Sequence, residues 1–130
     1  MIVVSNEWKD YIADSRQHIL SQFDKYGIPD GWRKSIIPRL VDELVDVLGS
    51  YVDDFVISDC KEKFGELRVY WDYKNPIDDD DDLLYDKIEE IIGKYELISR
   101  KTCVKCGRLA TTQSSGWVLP FCSGCIKFIN

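Results

Sequence analysis

A single histidine, His18, stands in a chain of 130 residues. Without a second imidazole, most acid-base and nucleophilic constellations are missing. A lone histidine on a helix reads as a surface or half-buried residue rather than a ligand. No segment approaches the ~18 consecutive apolar residues of a membrane span, and residues 1 to 15 lack the basic start and unbroken apolar run of a secretory leader. The expectation is a soluble, cytoplasmic protein with no membrane partner. Hydrophobic residues make up 45% of the chain, enough for the core of one compact domain or a domain with a small appendage.

Carboxylates are also missing, but only from one end. Residues 1 to 98 hold 12 basic and 23 acidic side chains, a balance of −11, whereas residues 99 to 130 hold five basic and none acidic. The chain therefore reads as two electrostatic bodies, an acidic one over 1–98 and a basic element over 99–130.

Cysteine is scarce, and its placement is specific. Four of the five cysteines fall within CVKCGRLATTQSSGWVLPFCSGC, as Cys103, Cys106, Cys122 and Cys125. The spacing C-x2-C-x15-C-x2-C lies within the range of zinc sites. Each Cys-x-x-Cys knuckle aims two sulfurs inward from a tight turn, and two knuckles supply the four soft ligands of a tetrahedral shell. Gly107 and Gly124 suit those turns. Two pairs in a carboxylate-free segment fit one closed structural zinc site better than a redox dithiol. Cys60 is left outside the shell as a buried or free thiol. With four thiolates and one Zn²⁺ the segment keeps a charge of +3. A full shell leaves no position for an activated water, so the sequence predicts a scaffold and no enzyme.

Periodicity outlines the rest. Ser5 can cap a helix over residues 6 to 26 with Trp8, Tyr11, Ile12, Ile19 and Phe23 near one face. A Pro-Asp-Gly turn at Pro29 to Gly31 leads to Trp32 and a second helix, with Pro38 in its first turn and Ile37, Leu40, Val41, Leu44, Val47 and Leu48 inward. Residues 54 to 60 and 66 to 73 read as strands of a hairpin joined by Lys61 to Gly65. Leu67, Val69, Trp71 and Tyr73 fall on its inner face. A third helix runs from about Asp82 to Ile98. The predicted class is α+β: helices packed on a β-hairpin or small antiparallel sheet, followed by a C-terminal zinc ribbon.

Two segments remain as candidate contact surfaces. Asp78, Asp79, Asp80, Asp81 and Asp82 form an acidic run that lacks the spaced pattern of an EF-hand. It reads as a solvated helix entry, or as a negative surface that steers a basic protein. A contiguous run is poor geometry for a two-metal nuclease, whose carboxylates converge from separate elements. The segment CKEKFGELRVYWDY sets Lys61, Lys63 and Arg68 among Phe64, Tyr70 and Trp71, a mixture that can hold phosphates and stack bases. Alternation nevertheless assigns several of these to the core.

KEKFGELRVY, with Gly31-Trp32 upstream and CVKCG, GW and FCSGC downstream, resembles a family of small phage and prophage proteins. In that family a lysine-glutamate-lysine-phenylalanine-glycine motif precedes a C-terminal zinc-ribbon-like element. The resemblance covers roughly residues 31 to 125 and implies a viral context rather than a reaction. Some members place histidine where this chain has Cys125, which still leaves four ligands. The leading expectation is thus a non-enzymatic zinc-binding protein whose acidic body binds a host or viral protein, inhibition of a bacterial defence system being one such task. The alternative is a nucleic-acid-binding ribbon, with Arg100, Lys101, Lys105 and Arg108 on phosphates and Trp117 available for stacking.

Overall fold

The computed structural model describes residues 7–75 and 82–128. Helix α1 spans Glu7–Gln22, α2 Asp30–Ser35 and α3 Ile37–Leu48, followed by a 3-10 turn over Gly49–Asp54. Strands β1 (Phe55–Lys63) and β2 (Glu66–Tyr73) form the hairpin, and α4 spans Asp82–Ser99. Short strands β3 (Thr112–Gln113) and β4 (Pro120–Phe121) pair antiparallel in the C-terminal segment, which ends in a 3-10 turn over Ile126–Phe128. The α+β class and the ribbon-like cysteine segment are as the sequence predicts.

Several boundaries differ for local reasons. The first helix ends at Gln22, and bonds from the Phe23 and Asp24 amides to the Leu20 and Ser21 carbonyls tighten its exit. The expected cap Ser5 and the side chain of Trp8 lie outside the described residues; Tyr11 and Ile12, expected on the apolar face, are about half exposed, while Ile19 and Phe23 are buried in the core with Leu20 packed against it. The expected turn at Pro29 to Gly31 is already the start of α2. Pro38 separates α2 from α3: it has no N–H to offer the Lys34 carbonyl, so the helix breaks and restarts.

The hairpin is longer than its sequence suggests. Lys61, Glu62 and Lys63 pair with Arg68, Leu67 and Glu66, leaving Phe64 and Gly65 as a two-residue turn. A register shift between Ile57 and Asp59 marks a bulge, which is why the buried positions run Phe55, Ile57 and then Cys60 rather than alternating throughout.

A two-stranded sheet is marginal alone and has two open edges. Here side chains of the helices and of the α1–α2 link bond to both. On the β1 side, Gln22 donates to the Phe55 carbonyl at 2.9 Å and accepts from the Ile57 amide at 2.7 Å, and Tyr26 donates to the Ile57 carbonyl at 3.1 Å. On the β2 side, Ser99 Oγ accepts from the Leu67 amide at 2.8 Å and Glu96 from the Val69 amide at 3.0 Å. Leu67 and Val69 are buried as predicted. Trp71 is only half-buried, stacked on Phe55 and against Tyr73 and Tyr85, with its indole N–H donating to Glu89 at 2.6 Å.

Candidate metal centre

The sulfurs of Cys103, Cys106, Cys122 and Cys125 lie within 4.8 Å of one another. These four residues are placed to bind a metal ion, and they are the only such cluster among the described residues. Two local turns produce the arrangement. At the first knuckle, Thr102 and Leu109 form an antiparallel bridge, the Cys103 amide donates to the Arg108 carbonyl at 2.7 Å, and the Gly107 amide donates back to the Cys103 carbonyl at 3.0 Å. At the second, the Cys125 and Ile126 amides both reach the Cys122 carbonyl, at 3.2 and 3.1 Å. The Val104 amide donates to the Pro120 carbonyl at 3.0 Å, which brings the knuckles face to face.

Four thiols this close cannot all ionise without a cation, because each new thiolate repels the last. Their proton affinities are accordingly spread. Burial works against a charged Cys103, yet the amides of Cys106, Cys122 and Lys105 and the Cys106 thiol together bring it down to about 6. Cys122 is lowered by the thiol of Cys125, while Cys125, donating to Cys122, is pushed up to about 12. A dication at the centre would relieve this conflict by stabilising every thiolate at once.

The cysteine-bearing segment is seated on the body by the Gly31-Trp32 pair. Trp32 is fully buried, and its indole N–H donates to the Thr102 carbonyl at 2.9 Å, immediately before Cys103. The Gly31 amide donates to the Val104 carbonyl at 2.7 Å. A Cβ on Gly31 would lie 2.0 Å from the Cys103 carbonyl oxygen, so only glycine admits this approach. Cys103, Val104 and Phe121 join the core cluster that includes Trp32, Leu67 and Tyr95. The GW dipeptide, visible in the sequence as part of a resemblance, is structurally the seat of the first knuckle.

The other sequence candidates are distributed as follows. Cys60 lies in the core on β1, outside the cluster, and burial pushes its thiol up to about 12. His18 is exposed on α1. Asp78 to Asp81 lie outside the described residues; Asp82 begins α4, and its side chain also lies outside them. Arg100 donates to the buried carboxylate of Glu66 at 2.7 Å. Lys101 and Arg108 are exposed, and Lys105 stands 4.8 Å over the Phe128 ring. Trp117 is 61% exposed and stacks on Phe64, with ring centroids 6.1 Å apart. The helix α4 is not apolar enough to cross a membrane, nor is any other described helix. No protein-family model, curated protein or solved structure matches this chain.

Proposed function

We propose that this protein is a non-enzymatic zinc-binding protein of the phage type, which acts in the bacterial cytoplasm by binding a host or viral macromolecule. The observation that carries the reading is the four-sulfur cluster within 4.8 Å, built on two knuckles and seated on the body core. Four soft thiolates suit zinc, and a shell filled by protein sulfur leaves no coordination site for substrate or water. The ion's role is then to order the segment that carries it. Blocking a host defence system is a task that such a binder can perform with no chemistry of its own.

Two measurements test this. Elemental analysis of freshly purified protein should find about one zinc per chain, the stoichiometry of a single closed four-ligand site. Iron in its place would overturn the assignment. Affinity capture from bacterial lysate, with zinc-loaded and chelated protein in parallel, should recover a saturable macromolecular partner only with the loaded form. Recovery of none, or equal recovery by both forms, would refute a zinc-ordered binding role.

A further inference from the structure

The hairpin turn at Phe64 and Gly65 is unusual for its sequence. Both residues have positive φ, 53° and 81°, as a two-residue type I′ turn requires. Asparagine or glycine normally takes the first of these positions, whereas a phenylalanine there is strained. The fold gains little from the ring, which is 77% exposed. It stacks on the exposed indole of Trp117, nearly parallel at an interplanar angle of 19°. Glu62 holds the pair together: its carboxylate accepts from the Gly65 amide at 2.7 Å and from the Trp117 indole N–H at 2.9 Å.

Beside this aromatic pair lies a cleft of about 250 Å³ lined by Lys63, Arg68 and Arg100. A broader groove of about 900 Å³, lined by Arg100, Lys101 and the Leu109–Gln113 stretch, shares Arg100 and Gln113 with it. The two clefts meet at Arg100 and Gln113 and together offer a track along the joint between hairpin and cysteine-bearing segment. Its four cations face two carboxylates: that of Glu66, already paired with Arg100 at 2.7 Å and Arg68 at 3.5 Å, and that of Glu62 at the aromatic pair, occupied by the Gly65 amide and the Trp117 indole. The Nε of Arg68 is buried with no hydrogen-bond partner among the described residues. The local surface is therefore cationic although the chain as a whole carries −6.

We propose that this track binds single-stranded nucleic acid, with a base stacked on the Phe64–Trp117 pair and phosphates held by Lys63, Arg68, Arg100 and Lys101. Exposed rings provide a sequence-tolerant platform for bases, and a cationic groove follows the backbone. A duplex, whose bases are already stacked, cannot use the platform. The inference rests on the binding role proposed above and names its partner class.

The test uses the full-length, zinc-loaded protein and a fluorescent oligothymidylate of about 12 nucleotides, within the usual site size of such grooves. A duplex of the same length and a polyglutamate peptide serve as competitors. The oligonucleotide should bind in preference to both. Phe64→Asn replaces the strained residue with the one favoured before glycine in this turn, so the hairpin is retained or strengthened while the platform is lost. Affinity should fall about tenfold or more. The double variant Lys63→Gln, Lys101→Gln removes two cations that make no ion pair with a described residue, and should lower the slope of log affinity against log salt by about 1.4. The proposal is overturned by absence of oligonucleotide binding at low salt, by equal competition from duplex or polyglutamate, or by wild-type affinity in a folded Phe64→Asn protein. If the oligonucleotide fails while lysate capture still recovers a zinc-dependent partner, the track assignment falls and the general binding role stands. Failure of both experiments refutes both.

Discussion

Gly31→Ala tests how the metal-binding segment is joined to the body. The added methyl carbon would lie 2.0 Å from the Cys103 carbonyl oxygen, 2.6 Å from the Gly107 nitrogen and 2.8 Å from the Val104 carbonyl carbon. All three are backbone atoms, so no side chain can swing away, and α2 must separate from the knuckle by about 1.5 Å to restore ordinary contact. Overpacking of this kind costs about 1–3 kcal/mol. The separation also breaks the bonds from the Gly31 amide to Val104 and from the Trp32 indole to Thr102, at 2.7 and 2.9 Å. Each is worth about 1 kcal/mol net, and more if a buried donor is left unpaired. Alanine's better helix propensity returns about 1 kcal/mol. The net loss is about 2–4 kcal/mol, a large share of the ~5–15 kcal/mol stability typical of a domain. Denaturant unfolding of the zinc-loaded protein measures it, with Gly27→Ala, which meets nothing within 4 Å, as the control. Competition with a chromophoric chelator should show zinc affinity reduced at least tenfold, since the knuckle's support is displaced. A loss below about 1 kcal/mol with unchanged zinc affinity would refute the argument that Gly31 seats the knuckle.

Chelation of the metal, or Cys103→Ser, should destabilise more than the C-terminal segment, because Cys103, Val104 and Phe121 belong to the shared core. Structural zinc binding is worth on the order of 10 kcal/mol in small peptides. Thermal unfolding should therefore shift for the buried Trp32 signal as well as for the knuckles, and an unchanged Trp32 environment would contradict this. Trp71→Ala should cost about 2–3 kcal/mol, less than the ~3–5 of a fully buried tryptophan, since the ring is half-buried against Phe55, Tyr73 and Tyr85. Denaturant titration decides between the two ranges. Burial raises the carboxyl of Glu96 above its ordinary 4.5, with the Val69 amide acting in the opposite sense. A raised folded value favours the native state below about 4.5 and loses that contribution as pH climbs through the folded value. Glu96→Gln keeps an acceptor for the Val69 amide and removes the charge, so at pH ~7 stability should be unchanged or higher by less than about 1 kcal/mol, with the difference fading in acid. Unfolding across a pH series checks this, and a clear loss at neutral pH would show the charged form to be the stabilising one.

The four-cysteine cluster and the class of the fold were legible in the sequence for physical reasons that are local. A Cys-x-x-Cys turn orients its own sulfurs, and the spacing of Leu40, Val41, Leu44 and Leu48 defines an inward face whatever it meets. The interruption between α2 and α3 was local too, since Pro38 removes a donor by itself. Other features depended on contacts between residues far apart in the chain. Nothing near Gly31 and Trp32 states that they hold a carbonyl and an amide on either side of Cys103, because that partnership exists only once α2 lies against the knuckle. The exposure of Tyr11 and Ile12 was undecided for the same reason: an apolar stripe is buried only as far as a neighbour extends along it. The Phe64-Gly65 pair shows the division most clearly. Sequence placed a glycine-containing connection there and set Trp117 among the candidates of a distant segment. Only tertiary structure set the two rings together beside Lys63, Arg68, Arg100 and Lys101, because a stacking platform made from two loops 53 positions apart has no sequence period to announce it.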